Sequence, residues 1–499
     1  MKKLIAAILV LCLCMGTASA DGLGSWLRGL WESAAGSDEA AEREESEFDR
    51  LFDSGLTPVL EKEYIDVSQV PVYVNAEYAR DNAESLGISP DSITEGLVFV
   101  ANAGDVVGED AKFFFPMSVS PDGSKMLAVY DRLTLWCYDG EKLVVLSWSR
   151  ERSVQRGETE DDDLIGFLQA NPYAFSRLIG STDGVIWSPD GSKAVLLYSG
   201  SFLSMAYTYF AQLMIADMET GEAYLAHRFG ESLAKDDDFG AVMGACFDES
   251  GRYIYYTVWA HPPVLRRHDT QTGEDVELQA YLENMAEFPS RPRLHMLRDG
   301  SLLTLYEGRQ RGDCGLLYLY EGSAGRAFRR YETGLQPLGR IVSFDVNAQS
   351  GLGVALDQEA NSDMTGRLLI PGFLLIVDTD KNMSGLSEPA LIKTDGSAVR
   401  MNKTQFLQLI NDGKTEDFDY VLSVSLSPDG EYALVTGRSC MYILRLRTLE
   451  TRRVEFPEGT ECAQFTFDTP INARFARGID WHEANRICSS AGMFRLTWE

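Results

Sequence analysis

Residues 118–130 of the chain read SVSPDGSKMLAVY, and residues 185–198 read VIWSPDGSKAVLLY. The tetrapeptide Ser-Pro-Asp-Gly returns at residues 427–430, again next to aliphatic residues. Proline sets φ at the second position of a turn, aspartate hydrogen-bonds the backbone that follows it, and glycine adopts the positive φ that other residues avoid. Each copy therefore predicts a β-strand, a tight turn and a second β-strand. The turn aspartates and glycines are expected to serve the backbone: they are Asp122, Gly123, Asp190, Gly191, Asp429 and Gly430.

Weaker copies of this pattern occur elsewhere in the chain. They are centred on Gly251, Gly300, Gly351 and Asn485. A second polar turn, such as Glu219-Thr220-Gly221, follows most copies and separates two further strand-like runs. Units of four short antiparallel strands at this spacing are typical of a β-propeller. Counting the turns predicts an all-β fold, a seven-bladed propeller of four-stranded blades.

The repeats resemble the SPDG-type, WD40-like propeller repeats of TolB and of the propeller domains in prolyl-oligopeptidase-like proteins. The resemblance covers residues 95–499, and its motif is sharp in the three Ser-Pro-Asp-Gly copies. It implies a propeller fold and, through TolB, a protein that binds other proteins in a bacterial envelope. The chain contains no G-x-S-x-G motif, so the hydrolase activity of the oligopeptidases does not carry over.

The end of the chain bears on how the ring closes. After Asn485 only two further strands fit, so the last blade lacks one strand. The run Gly96-Leu97-Val98-Phe99-Val100-Ala101 has strand composition and no blade of its own. We expect this run to complete the last blade and leave no unpaired sheet edge.

The N-terminus predicts export. Lys2 and Lys3, an apolar run, and Ala18-Ser19-Ala20 have the order of a signal peptide over residues 1–20. Residues 21–90 are predicted to form an acidic, partly helical extension, in which the stretch 42–53 is a solvated helix or a mobile arm. The propeller is then expected to span residues 91–499. The protein is predicted to be secreted, periplasmic or associated with the cell envelope, without a transmembrane segment in the mature chain.

Composition restricts the partners. The formal net charge is −30 at pH 7, which disfavours nucleic acid and anionic lipid. We expect a monomer without a cofactor, whose partner is a protein or a peptide. Of the cysteines that remain after export, Cys440 and Cys462 are the one pair for which a disulfide is suggested.

Two long insertions between predicted blades are candidates for the interaction site. They lie near residues 149–177 and 389–420, and each contains a predicted short helix. Long loops on a rigid scaffold are where function collects. One interpretation is a recognition surface over the channel mouth, and the other is that both loops only cover propeller edges. The candidate residues are Glu158, Glu160, Asp161, Asp162, Asp163, Phe167, Asn402, Gln405 and Phe406.

No catalytic or metal-binding motif is recognisable. The five histidines lack the spacing of a zinc site, and the acidic runs lack the alternation and central glycine of a calcium loop. We therefore predict no catalytic, cofactor-binding or metal-ligating residue. The favoured function is a noncatalytic, protein- or peptide-binding scaffold. The alternative is a propeller hydrolase or lyase that acts on an extracellular carbohydrate or lactone.

Overall fold

The structure is a computed structural model. It describes residues 45–114, 116, 118–130, 134–155, 182–198, 212–228, 242–258, 264–278, 285–287, 294–296, 300, 302–308, 314–319, 340–347, 352–360, 369–378, 398–402, 421–437, 441–446, 448, 450–456, 458, 480–482, 485–489 and 492–499. Within these residues the α-helices are α1 Glu47–Asp53, α2 Ala76–Asp81, α3 Ala83–Leu86, α4 Ala103–Val107 and α5 Arg150–Gln155. Short 3-10 turns span Pro90–Ser92 and Gly108–Lys112.

The strands come in groups along the chain. The N-terminal strands are β1 Pro58–Glu63, β2 Pro71–Asn75 and β3 Leu97–Asn102. The first sheet contains β4 Ser118–Val119, β5 Met126–Tyr130, β6 Thr134–Tyr138 and β7 Leu143–Trp148. The second contains β8 Thr182–Trp187, β9 Lys193–Tyr198, β10 Gln212–Asp217 and β11 Glu222–Arg228. The third contains β12 Val242–Phe247, β13 Tyr253–Val258, β14 Val264–Asp269 and β15 Asp275–Leu278.

The remaining groups follow the same plan. The fourth contains β16 Met285–Glu287, β17 Leu294–Met296, β18 Leu302–Gly308 and β19 Cys314–Leu319. The fifth contains β20 Arg340–Asn347, β21 Leu352–Ala360, β22 Leu369–Asp378 and β23 Ala398–Asn402. The sixth contains β24 Val421–Leu426, β25 Tyr432–Gly437, β26 Met441–Arg445 and β27 Thr451–Val454, and the last group is β28 Asp480–His482, β29 Arg486–Ser489 and β30 Gly492–Trp498.

Strands within a group pair antiparallel with their neighbours in sequence. The third, fifth and sixth groups form sheets of four strands, the last group reaches four through β1, and the first two groups are linked with β2 and β3 into one ten-stranded sheet. The fourth sheet departs from this order, because β16 and β17 both pair with β18, and β19 pairs with its other edge. The outer strand of the first sheet, β7, also pairs in parallel with β11, the outer strand of the second sheet, and this pairing joins the two sheets. A further parallel pairing joins β7 to β2 of the N-terminal segment.

Consecutive sheets pack against each other. Leu127 of the first sheet and Leu196 of the second share one buried cluster. The second and third sheets share another, which contains Ile215 and Ile254. The third and fourth meet through Leu265 and Leu302. Apolar contact across each interface excludes water, and this burial stabilises one sheet on the next.

The series returns to its beginning. His295 Nε2 of the fourth sheet lies 3.9 Å from Asp345 Oδ1 of the fifth, and Asn347 Nδ2 of the fifth donates to Pro428 O next to the sixth at 2.8 Å. The sixth and last sheets share a core that includes Leu434 and Ile487. In the last sheet, Met493 is buried against Val119 of the first sheet. Small antiparallel sheets that follow each other in a closed series make the fold an all-β propeller.

The Ser-Pro-Asp-Gly turns lie where neighbouring sheets meet. In the second sheet Asp190 Oδ1 accepts from Ser192 N at 3.0 Å, and Lys193 N donates to Ser188 Oγ at 2.9 Å. Gly191 has φ +64°, and a Cβ there would lie 2.8 Å from the Cβ of Ser120 in the first sheet. Glycine is therefore required both for the turn and for the close approach of the next turn.

The prediction for ring closure named the wrong segment. Residues 97–102 form β3, which pairs with β2 rather than with the last sheet. The strand that completes the last sheet is β1, where Leu60 lies opposite Leu496 on β30. The boundary after residue 90, between the N-terminal extension and the propeller, stays a prediction. β1, which completes the last sheet, lies before that boundary. The ring thus closes as expected, through a different segment.

The acidic stretch that precedes β1 is a docked helix rather than a fully solvated one. Phe48 and Phe52 of α1 are buried in the core shared by the sixth and last sheets. Ser46 and Asp49 form a capping box, which satisfies backbone donors at the start of α1. The polar face of α1 carries its acidic residues, and its apolar face covers the sheets.

Residues 65–114 pack on the first sheet. Val72 and Phe114 share a buried cluster with Ala128, Trp136 and Val145 of β5, β6 and β7. The neighbours of these residues along the same strands, such as Leu127 and Leu135, belong instead to the cluster with the second sheet. Side chains alternate between the faces of a strand, so residues 65–114 cover the face of the first sheet that points away from the second.

Candidate functional site

Most of the interaction residues suggested by the sequence lie outside the described residues. These are Glu158, Glu160, Asp161, Asp162, Asp163, Phe167, Gln405 and Phe406, and the pair Cys440 and Cys462 lies outside them too. Asn402 is the last residue of β23. The second insertion is therefore not one continuous link between blades, because residues 398–402 within it form the outer strand of the fifth sheet.

The base of the first insertion is a short helical segment that follows β7. The chain leaves β7, turns at Ser149 and enters α5, which ends at Gln155 shortly before Glu158. Ser149 N donates to Ala223 O at 2.9 Å, and Leu225 N donates to Ser153 Oγ at 3.2 Å. These bonds fasten the start of α5 along the outer edge of β11, the rim strand of the second sheet.

Arg152 is the centre of this base. Its Nη1 lies 3.0 Å from Asp217 Oδ2 and 3.1 Å from Glu222 Oε2. Its guanidinium also lies 3.8 Å from the centre of the Tyr224 ring, a cation–π geometry. Burial alone would lower the pKa of Arg152, but Tyr224, Asp217 and Glu222 outweigh burial and raise the pKa. The guanidinium is therefore a permanent cation held by two carboxylates and a ring.

A further carboxylate fixes the other side of the turn into α5. Glu77, on α2, accepts from Arg150 N at 3.1 Å and from Ser149 Oγ at 3.2 Å. Burial raises the pKa of Glu77, and the hydrogen bonds from Arg150, Glu151 and Ser149 oppose that rise. Residues 149–155 are thus held between the N-terminal segment and the second sheet, and we call them the insertion stem.

Local sequence did not reveal the insertion stem. Arg152 and Asp217 lie 65 positions apart in the chain, and their pairing depends on how two sheets sit side by side. The signal that exists is weak: one of several arginines in an interblade link and an aspartate at the end of β10. Neither has a spacing that identifies a partner.

A second polar cluster lies in the third sheet. Tyr256 Oη donates to Asp275 Oδ2 at 2.6 Å, and Arg266 Nε donates to Asp275 Oδ1 at 2.6 Å. His268 Nδ1 lies 3.3 Å from Asp275 Oδ2. The side chains of His268 and Asp275 are almost completely buried, so this cluster holds β13, β14 and β15 together and is not open to a substrate.

Two other features bear on the site. Among the residues that the structure describes, no group of three or more histidine, cysteine, aspartate or glutamate side chains could hold a metal ion. In the same part of the chain, no helix has the length and apolar character needed to cross a membrane.

Of three comparisons with known proteins, the one with solved structures gives matches. No family model matches the chain, and no curated protein matches it. Among solved structures, the chain is similar to the β-propeller domain of Cps50 (Swd1) from Myceliophteria thermophila, with 12% sequence identity and a TM-score of 0.42. The match covers 77% of this chain and 95% of that domain. A similarity of this size supports no statement about activity or partner.

Proposed function

We propose that this protein is an exported, noncatalytic, TolB-like propeller of seven blades that binds a protein or peptide through its first insertion. The seven blades are the six sheets formed by β4–β27 and the last sheet completed by β1. A propeller supplies a rigid frame on which loops between blades are held in place, and such loops are where binding residues collect.

The observation that supports this proposal most is the insertion stem. Arg152, held by Asp217, Glu222 and Tyr224, fixes the residues from which the acidic run Glu158–Asp163 continues. Fixing the base of a loop lowers the entropy lost when the loop binds. A run of carboxylates attached to a fixed stem is suited to a cationic surface on a partner protein.

Affinity capture tests the proposal. The mature chain is immobilised and exposed to surface extract from the producing cell, beside a variant in which Glu158, Glu160, Asp161, Asp162 and Asp163 are changed to Gln or Asn. We expect a saturable protein partner that the wild-type chain retains and the variant loses. A matched control neutralises a second acidic run, Asp236-Asp237-Asp238, and should retain the partner.

The stem is tested separately. Arg152→Met keeps much of the side-chain volume but removes the charge that joins Asp217 to Glu222. We expect weaker capture with an unchanged acidic run, because the loop is no longer fixed at its base. If the neutralised variant captures the same partner as strongly as the wild type, the first insertion is not the binding site.

A further inference from the structure

Residues 64–114 present aromatic rings to solvent, although much of the segment is packed on the first sheet. Tyr64 is 49% exposed and Phe113 is 51% exposed. Their ring centroids lie 5.7 Å apart with an interplanar angle of 80°, which is a favourable edge-to-face arrangement. We call this pair and its immediate surroundings the Tyr64–Phe113 surface.

The backbone beneath the two rings is fixed. Phe114 N donates to Ile65 O at 3.0 Å, and Val67 N donates to Ala111 O at 2.8 Å. Phe114 and Val67 are fully buried and anchor this ladder in the core on the first sheet. The next residue outward on each segment, Tyr64 or Phe113, therefore stands on a rigid support, and a rigid aromatic side chain loses little entropy on binding.

The chain segments next to the two rings carry more acidic than basic residues. Asp66, Asp105, Glu109 and Asp110 all lie on the segments that carry or adjoin the two rings. Lys112 is engaged by Glu109, and the electrostatic influence of Lys112 also reaches Asp66. A hydrogen bond from the Ser68 side chain lowers the pKa of Asp66, so Asp66 remains ionised at neutral pH.

One cation already uses this surface. Lys62 Nζ lies 5.6 Å from the centre of the Tyr64 ring, within the range of a cation–π contact. The lysine stem is long and its head is strongly hydrated, so another cation can displace it at small cost. The Tyr64 face is therefore electrostatically suited to an ammonium or guanidinium group.

We propose that the Tyr64–Phe113 surface docks a segment of a partner protein that carries arginine or lysine between aliphatic residues. The cation lies over an aromatic face and near the carboxylates, and the aliphatic side chains cover the Phe113 ring. Aromatic residues of this exposure are enriched at interfaces and supply much of their binding energy. A second copy of the chain is disfavoured as the occupant, because two surfaces of a protein with a formal charge of −30 repel each other.

This site is separate from the first insertion, and it goes beyond the proposed function. A labelled short peptide of alternating arginine and leucine serves as the probe, and its affinity for the full chain is measured by fluorescence anisotropy. Phe113→Ala and Tyr64→Ala together should weaken binding at least tenfold, because the first removes the ring that the aliphatic side chains cover and the second removes the cation–π partner. The variants should rank in the same order of probe affinity at low and at moderate salt concentration.

Phe99→Ala is the matched control, because Phe99 is 52% exposed and lies on β3, where it contacts Tyr73 instead. This variant should bind the probe as the wild type does. The same peptide with glutamate in place of arginine should not bind. Thermal melts of all variants show that each remains folded.

A third variant separates the two sites. If neutralising Glu158–Asp163 abolishes probe binding while the Tyr64 and Phe113 changes leave it intact, the probe binds at the insertion and the Tyr64–Phe113 proposal is wrong. Equal losses from Phe99→Ala and Phe113→Ala, or no binding of the arginine peptide to the wild-type chain, also overturn it.

Discussion

The two halves of the N-terminal segment use similar residues for opposite purposes. In residues 46–63, Phe48 and Phe52 point inward and are buried in the core of the sixth and last sheets. In residues 64–114, Tyr64 and Phe113 point outward and stay half exposed. Both halves are acidic and aromatic, so composition does not distinguish the half that closes the ring from the half that displays a surface.

The arginines of the neighbouring strands make the difference. Arg445 donates from Nη1 and Nη2 to the two carboxylate oxygens of Asp53, each at 3.0 Å. Its guanidinium carbon lies 4.4 Å from the centre of the Phe52 ring. Arg452 Nε donates to Phe52 O at 3.0 Å. The two arginines therefore bind the acidic side chain and the backbone of α1 and pack on its buried aromatic ring. The second half instead packs a set of apolar residues against the first sheet.

Phe52→Ala should give the largest effect. Phe52 is completely buried among Tyr432, Trp498 and two arginines, and loss of a buried phenylalanine costs about 3–5 kcal/mol of unfolding free energy. Phe113→Ala should change it by less than about 0.5 kcal/mol, as for other surface sites. Urea denaturation of the two variants measures the contrast, and equal losses would show that the halves are not different.

Arg445→Ala should have an intermediate effect. The change removes charged hydrogen bonds to Asp53 and packing on Phe52, which together are worth about 1–3 kcal/mol. Because Arg445 and Phe52 touch, the double variant with Phe52→Ala should lose less than the sum of the single losses. Strict additivity, measured by the same denaturation, would mean that the two residues act independently.

Tyr432→Phe should give the smallest effect, and it depends on pH. Burial and the hydrogen bond to Asp49 raise the pKa of Tyr432 above its usual value of 10.0. Because the pKa of Tyr432 is higher in the folded state than in the unfolded state, the stabilisation that its hydroxyl provides is complete below the unfolded-state pKa. That stabilisation is lost as pH rises towards the folded-state pKa. The wild type should therefore exceed the variant by about 1 kcal/mol at neutral pH, and the gap should narrow above pH 10.

A gap between wild type and Tyr432→Phe that stays constant from neutral pH into the alkaline range would contradict this account. The measurement is denaturant unfolding at several pH values. Tyr64→Phe, in the outward half, is the matched control, because it removes an exposed hydroxyl and leaves the core intact.

Much of the fold is readable in local sequence because turns are local. Asp190 bonds the backbone two positions ahead, and Gly191 needs its positive φ wherever the turn occurs. The strand character predicted for residues 96–101 is confirmed by β3, which spans Leu97–Asn102. Its partner was not predicted correctly, because an apolar strand fits several apolar faces and its sequence does not specify which one.

The closing strand escaped prediction for a physical reason. β1 begins with Pro58 and contains Glu61, Lys62 and Glu63, which gives it weak strand character. Its position is fixed by contacts with residues near the other end of the chain. Glu63 Oε2 lies 3.2 Å from Arg486 Nε, and Glu63 Oε1 lies 2.7 Å from Arg495 Nη2. The insertion stem was missed in the same way, since Arg152 meets its carboxylates only after two sheets are in place.

Hydrogen exchange tests the closure of the ring by β1 most directly. Peptides covering residues 58–63 and 492–498 are followed in the native chain and in a variant that lacks residues 46–63. The account predicts slow, matched exchange in both peptides of the native chain, and fast exchange at 492–498 in the truncated one. Fast exchange at 58–63 in the native chain, with 492–498 still protected after truncation, would contradict it.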